Sequence, residues 1–286
     1  MHVPYANMPI YRANFIKEHA MSFKNQTILI TGATSGLGKT LAIDLSYQGA
    51  NLILAGRDVL ALNETALQCQ NKSYVIPTDV TAESDCRNLM TEAIKHVGQI
   101  DYLILNAGIS MWSTFESLAD LSMTRQLMET NYFGAINCVH YALPHLKISQ
   151  GMIVVISSVQ GKFGVPYHSG YAASKHALQG FFDTLRMEIK KDNIDVLMVL
   201  PGWIRGTSLK QRALKNTTVH EKVIDPSVHK KHNRLSSSIN DCSKDIISAM
   251  SKRKREILIP RTYKALLWLK LLFPKWLDIL ISKNIE

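Results

Sequence analysis

The sequence is poor in the features that mark several large protein classes. Its only cysteines are Cys69, Cys86, Cys138 and Cys242, and no two of them form a CxxC pair. Neither a disulfide framework nor a cysteine-histidine zinc cluster is indicated, so we predict no metal site. Such sparse cysteine usage fits a reducing compartment, and we expect a cytoplasmic protein.

No apolar run reaches the roughly 20 residues that a membrane-spanning helix needs. The nearest candidate is ALLWLKLLFPKWLDILI, residues 265–281, which is interrupted by two lysines, an aspartate and a proline. This segment can lie on a membrane surface, pack on a partner or pack on the protein's own body. The pattern alone leaves all three alternatives open.

Charge is unevenly distributed along the chain. The formal net charge is +10, and the basic surplus is concentrated in residues 205–234 and in the run KRKR at 252–255. A basic margin suits an anionic substrate, an anionic lipid surface or simple solvation. No nucleic-acid recognition motif accompanies it, so we expect no nucleic-acid partner. A serine hydrolase is not indicated either, because no GxSxG elbow is present.

Apolar, β-rich runs alternate with helical stretches along most of the chain. The predicted strands are residues 27–31, 51–55, 73–77, 100–106, 152–157, 194–200 and 256–260. Strands that are apolar throughout and separated by helices indicate a parallel sheet covered on both faces. We predict an α/β, doubly wound (Rossmann), seven-stranded sheet in a single domain, in which residues 235–240 are the nearest stretch to a linker. Ligands of such folds bind beyond the carboxyl ends of the strands.

A glycine-rich turn follows the first predicted strand. In TGATSGLG, residues 31–38, Gly32 permits a tight turn, Gly36 allows a phosphate to approach the backbone, and Gly38 allows close packing of helix and strand. The helix that begins there presents free N–H groups to an anion. Together these features predict a dinucleotide site.

The end of the second predicted strand bears on the choice of dinucleotide. An acidic residue there holds the ribose 2′-hydroxyl of NAD, whereas this chain has Gly56 followed by Arg57. A guanidinium suits the 2′-phosphate of NADP. We therefore favour NADP(H), and the adjacent Asp58 leaves NAD(H) as the less favoured alternative.

A tyrosine and a lysine are spaced to share one helical face. Tyr171 and Lys175 are four residues apart in YAASK, and Ser158 ends the fifth predicted strand. A tyrosine hydroxyl ionises near pH ~10, and an adjacent ammonium lowers that pKa, which makes the phenol a usable proton carrier. A serine hydroxyl beside it can hold a carbonyl oxygen.

These motifs together resemble the short-chain dehydrogenase/reductase superfamily over roughly residues 25–260. The matching features are TGATSGLG, NAG at 106–108, Ser158 with the Tyr171 and Lys175 pair, and PG at 201–202. Within the superfamily, the segment from 155 to 189 is most similar to the dehydrogenase/reductase member 7B-like group. One departure is that Gly206 stands where the family usually has a threonine, with Thr207 one residue later.

The resemblance implies a role for each matching residue. Tyr171 is the expected general acid/base, Ser158 the carbonyl anchor, Lys175 the group that lowers the tyrosine pKa, and Asn131 the support of a proton-relay water. The implied cofactor contacts are Gly32, Thr34, Ser35, Gly36, Leu37, Gly38, Arg57, Asp79, Val80, Asn106, Ala107, Gly108, Tyr171, Lys175, Pro201, Gly202 and Ile204.

The resemblance also implies an activity and a domain plan. We expect reversible hydride transfer between NADP(H) and a lipid- or steroid-like carbonyl or secondary alcohol. A dinucleotide-binding sensor or scaffold without catalysis is the alternative. The expected plan is a flexible extension at 1–22, a catalytic domain at 23–260 with a pocket cover at 203–240, and an apolar helical tail at 261–286. By analogy we expect a homodimer or homotetramer, paired through residues 117–147 and 168–190.

Four aromatic residues follow the predicted strands closely enough to line an apolar pocket. They are Trp112, Phe163, Tyr167 and Trp203. Ordinary packing is the alternative interpretation of their positions. The substrate itself is not specified by the sequence.

Overall fold

Seven parallel strands form the centre of the computed structural model, which describes residues 22–207, 213 and 236–285. They are β1 Thr27–Thr31, β2 Asn51–Gly56, β3 Ser73–Pro77, β4 Tyr102–Leu105, β5 Met152–Ile156, β6 Asp195–Pro201 and β9 Glu256–Ile259. Their order across the sheet is β3-β2-β1-β4-β5-β6-β9. The predicted doubly wound, single-domain fold is confirmed.

The helices follow the strands in the predicted alternation. They are α1 Gly36–Tyr47, α2 Val59–Ala66, α3 Glu83–Val97, α4 Ser122–Met128, α5 Gly134–Ser149, α6 Ser169–Glu188, α7 Ile239–Ser251, α8 Tyr263–Leu272 and α9 Pro274–Ile285. A π-helical turn at Glu129–Phe133 joins α4 to α5, and 3₁₀ turns occupy Val159–Gly161 and Lys190–Asp192.

Alternate residues of each strand supply two separate cores. In β1, Ile28 and Ile30 pack on the face covered by α1 and α7, whereas Leu29 packs on the face covered by α3, α5 and α6. This alternation follows from the two-residue period of a strand. Because both faces are buried, the strands are apolar throughout their length.

The strand order places a ligand crevice beside β1. Thr27 of β1 pairs with Asn51 of β2 on one side, and Ile28 pairs with Tyr102 of β4 on the other. The chain thus turns outward in opposite directions from β1 and β4, which is where such sheets bind ligands. The loops after β1, β4, β5 and β6 meet at this edge.

A second, two-stranded parallel sheet was not predicted. It pairs β7, Trp203–Arg205, with β8, Ser236–Ser238. Residues 236–240, within the stretch of the sequence nearest to a linker, thus form a short strand and then begin a helix. The Ser238 Oγ accepts a hydrogen bond of 3.1 Å from the Asp241 N–H, so it caps α7.

The last two helices, here named the C-terminal hairpin, pack on the body of the protein through one face only. Tyr263 and Leu277 are buried against Phe163, Leu200 and Leu258. Packing on the protein's own body thus accounts for one side of the apolar tail. Within the described ranges, no helix combines the length and the hydropathy required to cross a membrane.

Two other predicted segments are not fully covered by the structure. The predicted extension lies outside the described residues, apart from Ser22. Most of the predicted pocket cover, residues 208–212 and 214–235, lies outside them as well. The division of the chain into these segments stays a prediction.

Candidate active site

One cavity of about 650 Å³ runs along the carboxyl edge of the sheet, from the glycine turn after β1 to the C-terminal hairpin. Most of the predicted site residues line it: Gly32, Thr34, Ser35, Gly36, Leu37, Arg57, Asp79, Val80, Asn106, Ala107, Gly108, Ser158, Tyr171, Lys175, Pro201, Gly202 and Ile204. Gly38 and Asn131 are not among the lining residues. The structure therefore brings the two predicted halves of the site together in one space.

The glycine turn is shaped by close backbone contacts. Gly32 has φ +68°, and a Cβ there would lie 2.9 Å from Ala107 Cα. A Cβ on Gly38 would lie 2.3 Å from the Gly32 carbonyl oxygen, so Gly38 serves packing rather than direct contact with a ligand. Gly36, by contrast, begins α1, and among the described residues a Cβ there would meet only Thr207, at 3.9 Å. The first turn of α1 thus faces open space that suits a phosphate.

Asn106 fastens the end of β4 to the glycine turn. Its Nδ2 donates to the Thr31 and Gly32 carbonyls at 3.1 and 3.0 Å. In return, the Thr31 Oγ1 accepts from the backbone N–H groups of Asn106 and Ala107, at 3.0 and 3.1 Å. This network holds the floor of the cavity rigid beneath the crevice.

Arg57 and Asp79 line the far end of the cavity, and Asp58 lies next to Arg57 in the chain. The Arg57 Nη1 lies 3.9 Å from the Asp79 Oδ2. Asp58 does not point into the cavity but caps α2, because its Oδ1 accepts from the Ala61 N–H at 3.0 Å. Burial raises the pKa of Asp79, but hydrogen bonds from Thr81 and the charge of Arg57 outweigh it and lower that pKa. The Arg57 guanidinium can therefore bind an anion at this end of the cavity, whereas the Asp58 carboxylate is hydrogen-bonded to the first turn of α2.

Ser158, Tyr171 and Lys175 converge near the middle of the cavity, with 6%, 8% and 5% of their surfaces exposed. The Ser158 Oγ accepts from the Gln160 N–H at 3.1 Å and hydrogen-bonds to Tyr171. The Lys175 Nζ donates to the Ile156 carbonyl at 2.9 Å and lies 5.6 Å from the centre of the Tyr171 ring. The four-residue spacing on α6 places the phenol and the ammonium on one face, as predicted.

Burial shifts the pKa of both ionisable groups toward the neutral form. It raises the pKa of Tyr171 to about 12, opposed by the hydrogen bond from Ser158. It lowers the pKa of Lys175 to about 8. Desolvation dominates both pKa values. The expectation that Lys175, together with a cationic nicotinamide, lowers the tyrosine pKa stays a prediction. With these pKa values, Tyr171 is neutral and Lys175 is mostly cationic near pH 7.

Asn131 acts as a structural bridge in the π-helical turn. Its Oδ1 accepts from the Ile109 N–H at 2.8 Å, and its Nδ2 donates to the Ile109 carbonyl and the Ser174 Oγ at 3.0 and 2.9 Å. The side chain thus holds the loop after β4 against α6, the helix that carries Tyr171. It is a positioning residue here, and its support of a relay water stays a prediction.

Aromatic side chains form the wall beyond Tyr171. Trp112, Phe163 and Trp203 line the cavity as predicted, whereas Tyr167 stacks behind Trp112 with ring centres 5.6 Å apart. His168 was missed by the sequence reasoning although it lines the cavity. Its ring lies 4.9 Å from that of Trp112 and 5.9 Å from that of Trp203.

The C-terminal hairpin supplies a wall that the sequence did not reveal. Tyr263, Leu266, Leu280 and Ile281 all line the cavity. A Cβ on Gly202 would lie 2.2 Å from the Tyr263 ring, so this glycine is required by the close approach of α8. Nothing local in the sequence signals that contact, because the two residues come from different elements. Thr207 also lines the cavity, although the expected threonine position is displaced.

This fold and cavity define the class of α/β oxidoreductases that use a nicotinamide dinucleotide. The family model described as short chain dehydrogenase matches residues 26–218. The chain belongs to the short-chain dehydrogenase/reductase family.

Individual relatives give the same classification. Dehydrogenase/reductase SDR family member 7B of Mus musculus is 35% identical over 245 residues, which cover 82% of this chain and 73% of that protein. The predicted resemblance to this group is thereby confirmed. The 11-beta-hydroxysteroid dehydrogenase A of Arachis hypogaea is 33% identical over 260 residues, covering 88% and 73%.

A solved structure shows the same fold. A short chain dehydrogenase/reductase of Burkholderia phymatum, in complex with NAD, superposes with a TM-score of 0.77 and 20% identity. The match covers 89% of this chain and 96% of that one.

Proposed function

We propose that the protein is an NADP(H)-dependent oxidoreductase that moves hydride reversibly between the nicotinamide and a lipophilic carbonyl or secondary alcohol. The observation that carries this proposal is the convergence of Ser158, Tyr171 and Lys175 in the cavity that the glycine turn also lines. In this family such a cavity joins cofactor and substrate in one space.

The residues present fit a nicotinamide dinucleotide. The open space at Gly36 and the N–H groups of the first turn of α1 would take the pyrophosphate. Arg57 would bind a ribose 2′-phosphate, and Asp58, as the cap of α2, does not compete for a 2′-hydroxyl. These two contacts support NADP(H) over NAD(H), although the Burkholderia phymatum neighbour holds NAD.

Each catalytic side chain has a distinct task in the reduction. The bound cofactor supplies the hydride for the carbonyl carbon. Ser158 donates a hydrogen bond to the carbonyl oxygen, and Tyr171 transfers its phenolic proton to that oxygen as the alcohol forms. The nearby ammonium of Lys175 stabilises the phenolate that remains. Oxidation of an alcohol follows the same steps in reverse.

The wall beyond Tyr171 supports a lipophilic substrate. Beyond Ser158, the wall consists mainly of apolar and aromatic side chains: Met111, Trp112, Phe163, Val165, Trp203, Tyr263, Leu266, Leu280 and Ile281. Such a wall favours burial of an apolar body with its carbonyl at Ser158. A relative named as a hydroxysteroid dehydrogenase is consistent with that substrate class.

The outward face of the C-terminal hairpin supports peripheral docking on an anionic membrane. Seven large apolar side chains are exposed there: Trp268, Leu271, Leu272, Phe273, Trp276, Ile279 and Leu280. Exposed basic residues flank them: Arg261, Lys264, Lys270, Lys275 and Lys283, against the single acidic Asp278. An amphipathic pair of helices of this charge suits anionic lipid, and it would bring lipophilic substrates to the cavity that the same hairpin lines.

Association of the subunits through α5 and α6 is part of the proposal. Phe133, Ile148 and Met187 are large apolar side chains exposed on these helices and the adjoining π-helical turn. Burying them against a second copy would give a homodimer, or a homotetramer with a further interface. A monomer by light scattering, at concentrations where turnover is measured, would contradict this arrangement.

The catalytic proposal is tested by turnover of a ketone panel with NADPH and with NADH. Tyr171→Phe should reduce kcat by at least about a hundredfold while the dissociation constant for NADPH changes little, because only the proton donor is removed. Tyr74→Phe is the matched control, since Tyr74 stacks on His96 away from the cavity. Dinucleotide binding without turnover of any ketone would instead favour the sensor or scaffold.

A further inference from the structure

The side chain of Gln160 is a buried polar group that the proposed mechanism does not use. It lines the cavity and has only 7% of its surface exposed. Among the residues that the structure describes, its Oε1 has no hydrogen-bond partner. The surrounding wall includes Phe163 and Val165, which can offer none.

The backbone of Gln160 is fixed beside the carbonyl anchor. Its N–H donates to the Ser158 Oγ at 3.1 Å, within the 3₁₀ turn Val159–Gly161. That turn is clamped against α6, because a Cβ on Gly161 would lie 2.9 Å from the Lys175 carbonyl oxygen. The amide of Gln160 therefore lies within one side-chain length of Ser158.

A buried amide oxygen without a partner among the described residues carries an energetic penalty. Leaving a buried acceptor without a hydrogen bond destabilises the folded protein, so buried polar groups are nearly always paired. A group of this kind on the wall of a ligand cavity indicates that the ligand supplies the partner. A hydroxyl is the simplest such partner, since it both donates and accepts and so pairs with either end of an amide.

We propose that Gln160 determines specificity by hydrogen-bonding a substrate hydroxyl next to the carbonyl held by Ser158. The substrate class is then a lipophilic α-hydroxy ketone, or the corresponding vicinal diol in the oxidative direction. This inference rests on the oxidoreductase activity proposed above. Ser158 binds the reacting oxygen, Gln160 binds the neighbouring oxygen, and the aromatic wall takes the apolar body.

The test compares two ketones that differ by one hydroxyl, 2-hydroxyacetophenone and acetophenone. The variant Gln160→Met keeps the shape of the side chain and removes its amide. We expect kcat/KM for the hydroxy ketone to fall at least about tenfold, and kcat/KM for acetophenone to stay within about twofold, because only one ligand loses a hydrogen bond. An equal effect on both ketones would overturn the inference and would mean that water alone satisfies the amide.

A matched control is available in Gln179→Met. Gln179 is also buried with an unpaired Oε1, but it does not line the cavity. This variant should leave the ratio of the two kcat/KM values unchanged. If Gln160→Met fails to fold, Gln160→Leu provides a second apolar replacement.

Binding separates this inference from the catalytic proposal. In the Tyr171→Phe background, which should not turn over, the dissociation constants of the two ketones can be measured by NMR titration with NADPH present. The hydroxy ketone should bind more tightly than acetophenone, and adding Gln160→Met should remove that difference. If the wild-type protein reduces neither ketone, the catalytic proposal fails for them. The ratio of dissociation constants still decides the role of Gln160.

Discussion

The guanidinium of Arg57 lies 3.9 Å from the carboxylate of Asp79, with 75% of the arginine side chain and 38% of the aspartate side chain exposed. An ion pair as open as this is weak, so the arginine remains available to a stronger anion. Asp79 is in turn held by hydrogen bonds from Thr81. The pair therefore keeps a cation oriented at the far end of the cavity.

Replacing Arg57 should change the preference between dinucleotides. Arg57→Leu should raise the dissociation constant for NADPH by roughly 10- to 100-fold, because a charge-assisted contact to the 2′-phosphate is worth about 1.5–3 kcal/mol. The dissociation constant for NADH should change little. Fluorescence titration with both cofactors measures the two constants. Arg255→Leu is the control, since Arg255 pairs with Asp183 away from the cavity, and equal weakening of both cofactors by Arg57→Leu would contradict the assignment.

The same substitution at two helical glycines should have opposite effects on stability. Gly38→Ala brings a Cβ to 2.3 Å from the Gly32 oxygen and should lower the free energy of unfolding by roughly 1–3 kcal/mol. Gly180→Ala, in α6, brings a Cβ within 4 Å of no atom of the described residues and should raise it by about 0.8–1 kcal/mol, because alanine is the better helix former. Urea unfolding measures both values. Stabilisation by Gly38→Ala would show that the turn and α1 are not tightly packed.

The lowered pKa of Lys175 predicts a specific dependence of stability on pH. With a pKa of about 8 in the folded protein and about 10.5 when unfolded, the unfolded chain binds more protons between these values, so stability rises with pH in that window. Relative to Lys175→Met, the wild-type free energy of unfolding should increase by about 2 kcal/mol from pH 7 to 9.5. Urea unfolding of both proteins at the two pH values measures this change. A difference independent of pH would mean that Lys175 titrates normally.

The exposed face of the C-terminal hairpin should govern lipid binding. The wild-type protein should float with vesicles of phosphatidylcholine and phosphatidylserine, and less with phosphatidylcholine alone. Trp268→Glu combined with Trp276→Glu should reduce the bound fraction at least about tenfold, because two large apolar groups are lost from the contact. Leu67→Glu is the control, as Leu67 is equally exposed on another part of the surface. Failure of the wild-type protein to float, together with self-association that the tryptophan variants abolish, would show instead that a second copy covers this face.

Local patterns in the sequence predicted the sheet, the glycine turn and the Ser158, Tyr171 and Lys175 set, and the family resemblance implied the other predicted residues of the cavity. The seven main strands, the glycine turn and the Tyr171 and Lys175 pair depend on short-range periodicity and on residues at fixed spacing, which the sequence displays directly. The role of Asp58 could not be predicted in the same way. The sequence does not show which way a side chain points, and only the structure shows that Asp58 caps α2.

Features that depend on tertiary burial were not accessible from the sequence. The raised pKa of Tyr171 results from desolvation by surrounding elements, which outweighs the nearby charge that the spacing suggested. The Gln160 Oε1, which has no hydrogen-bond partner in the part of the chain that the structure describes, can be recognised only once the cavity walls are in place. Serines 236–238 form a strand only because Trp203–Arg205 lies beside them.

The contact between Gly202 and Tyr263 joins one of the family's sequence motifs, at the end of β6, to the C-terminal hairpin. Since the last helices complete the cavity without contributing to the sheet, they can diverge, or be exchanged between related enzymes, while the reacting groups stay in place. Selectivity in proteins built this way can therefore evolve at the end of the chain independently of the chemistry. A tag or truncation at that end would alter which molecules are accepted before it altered the fold.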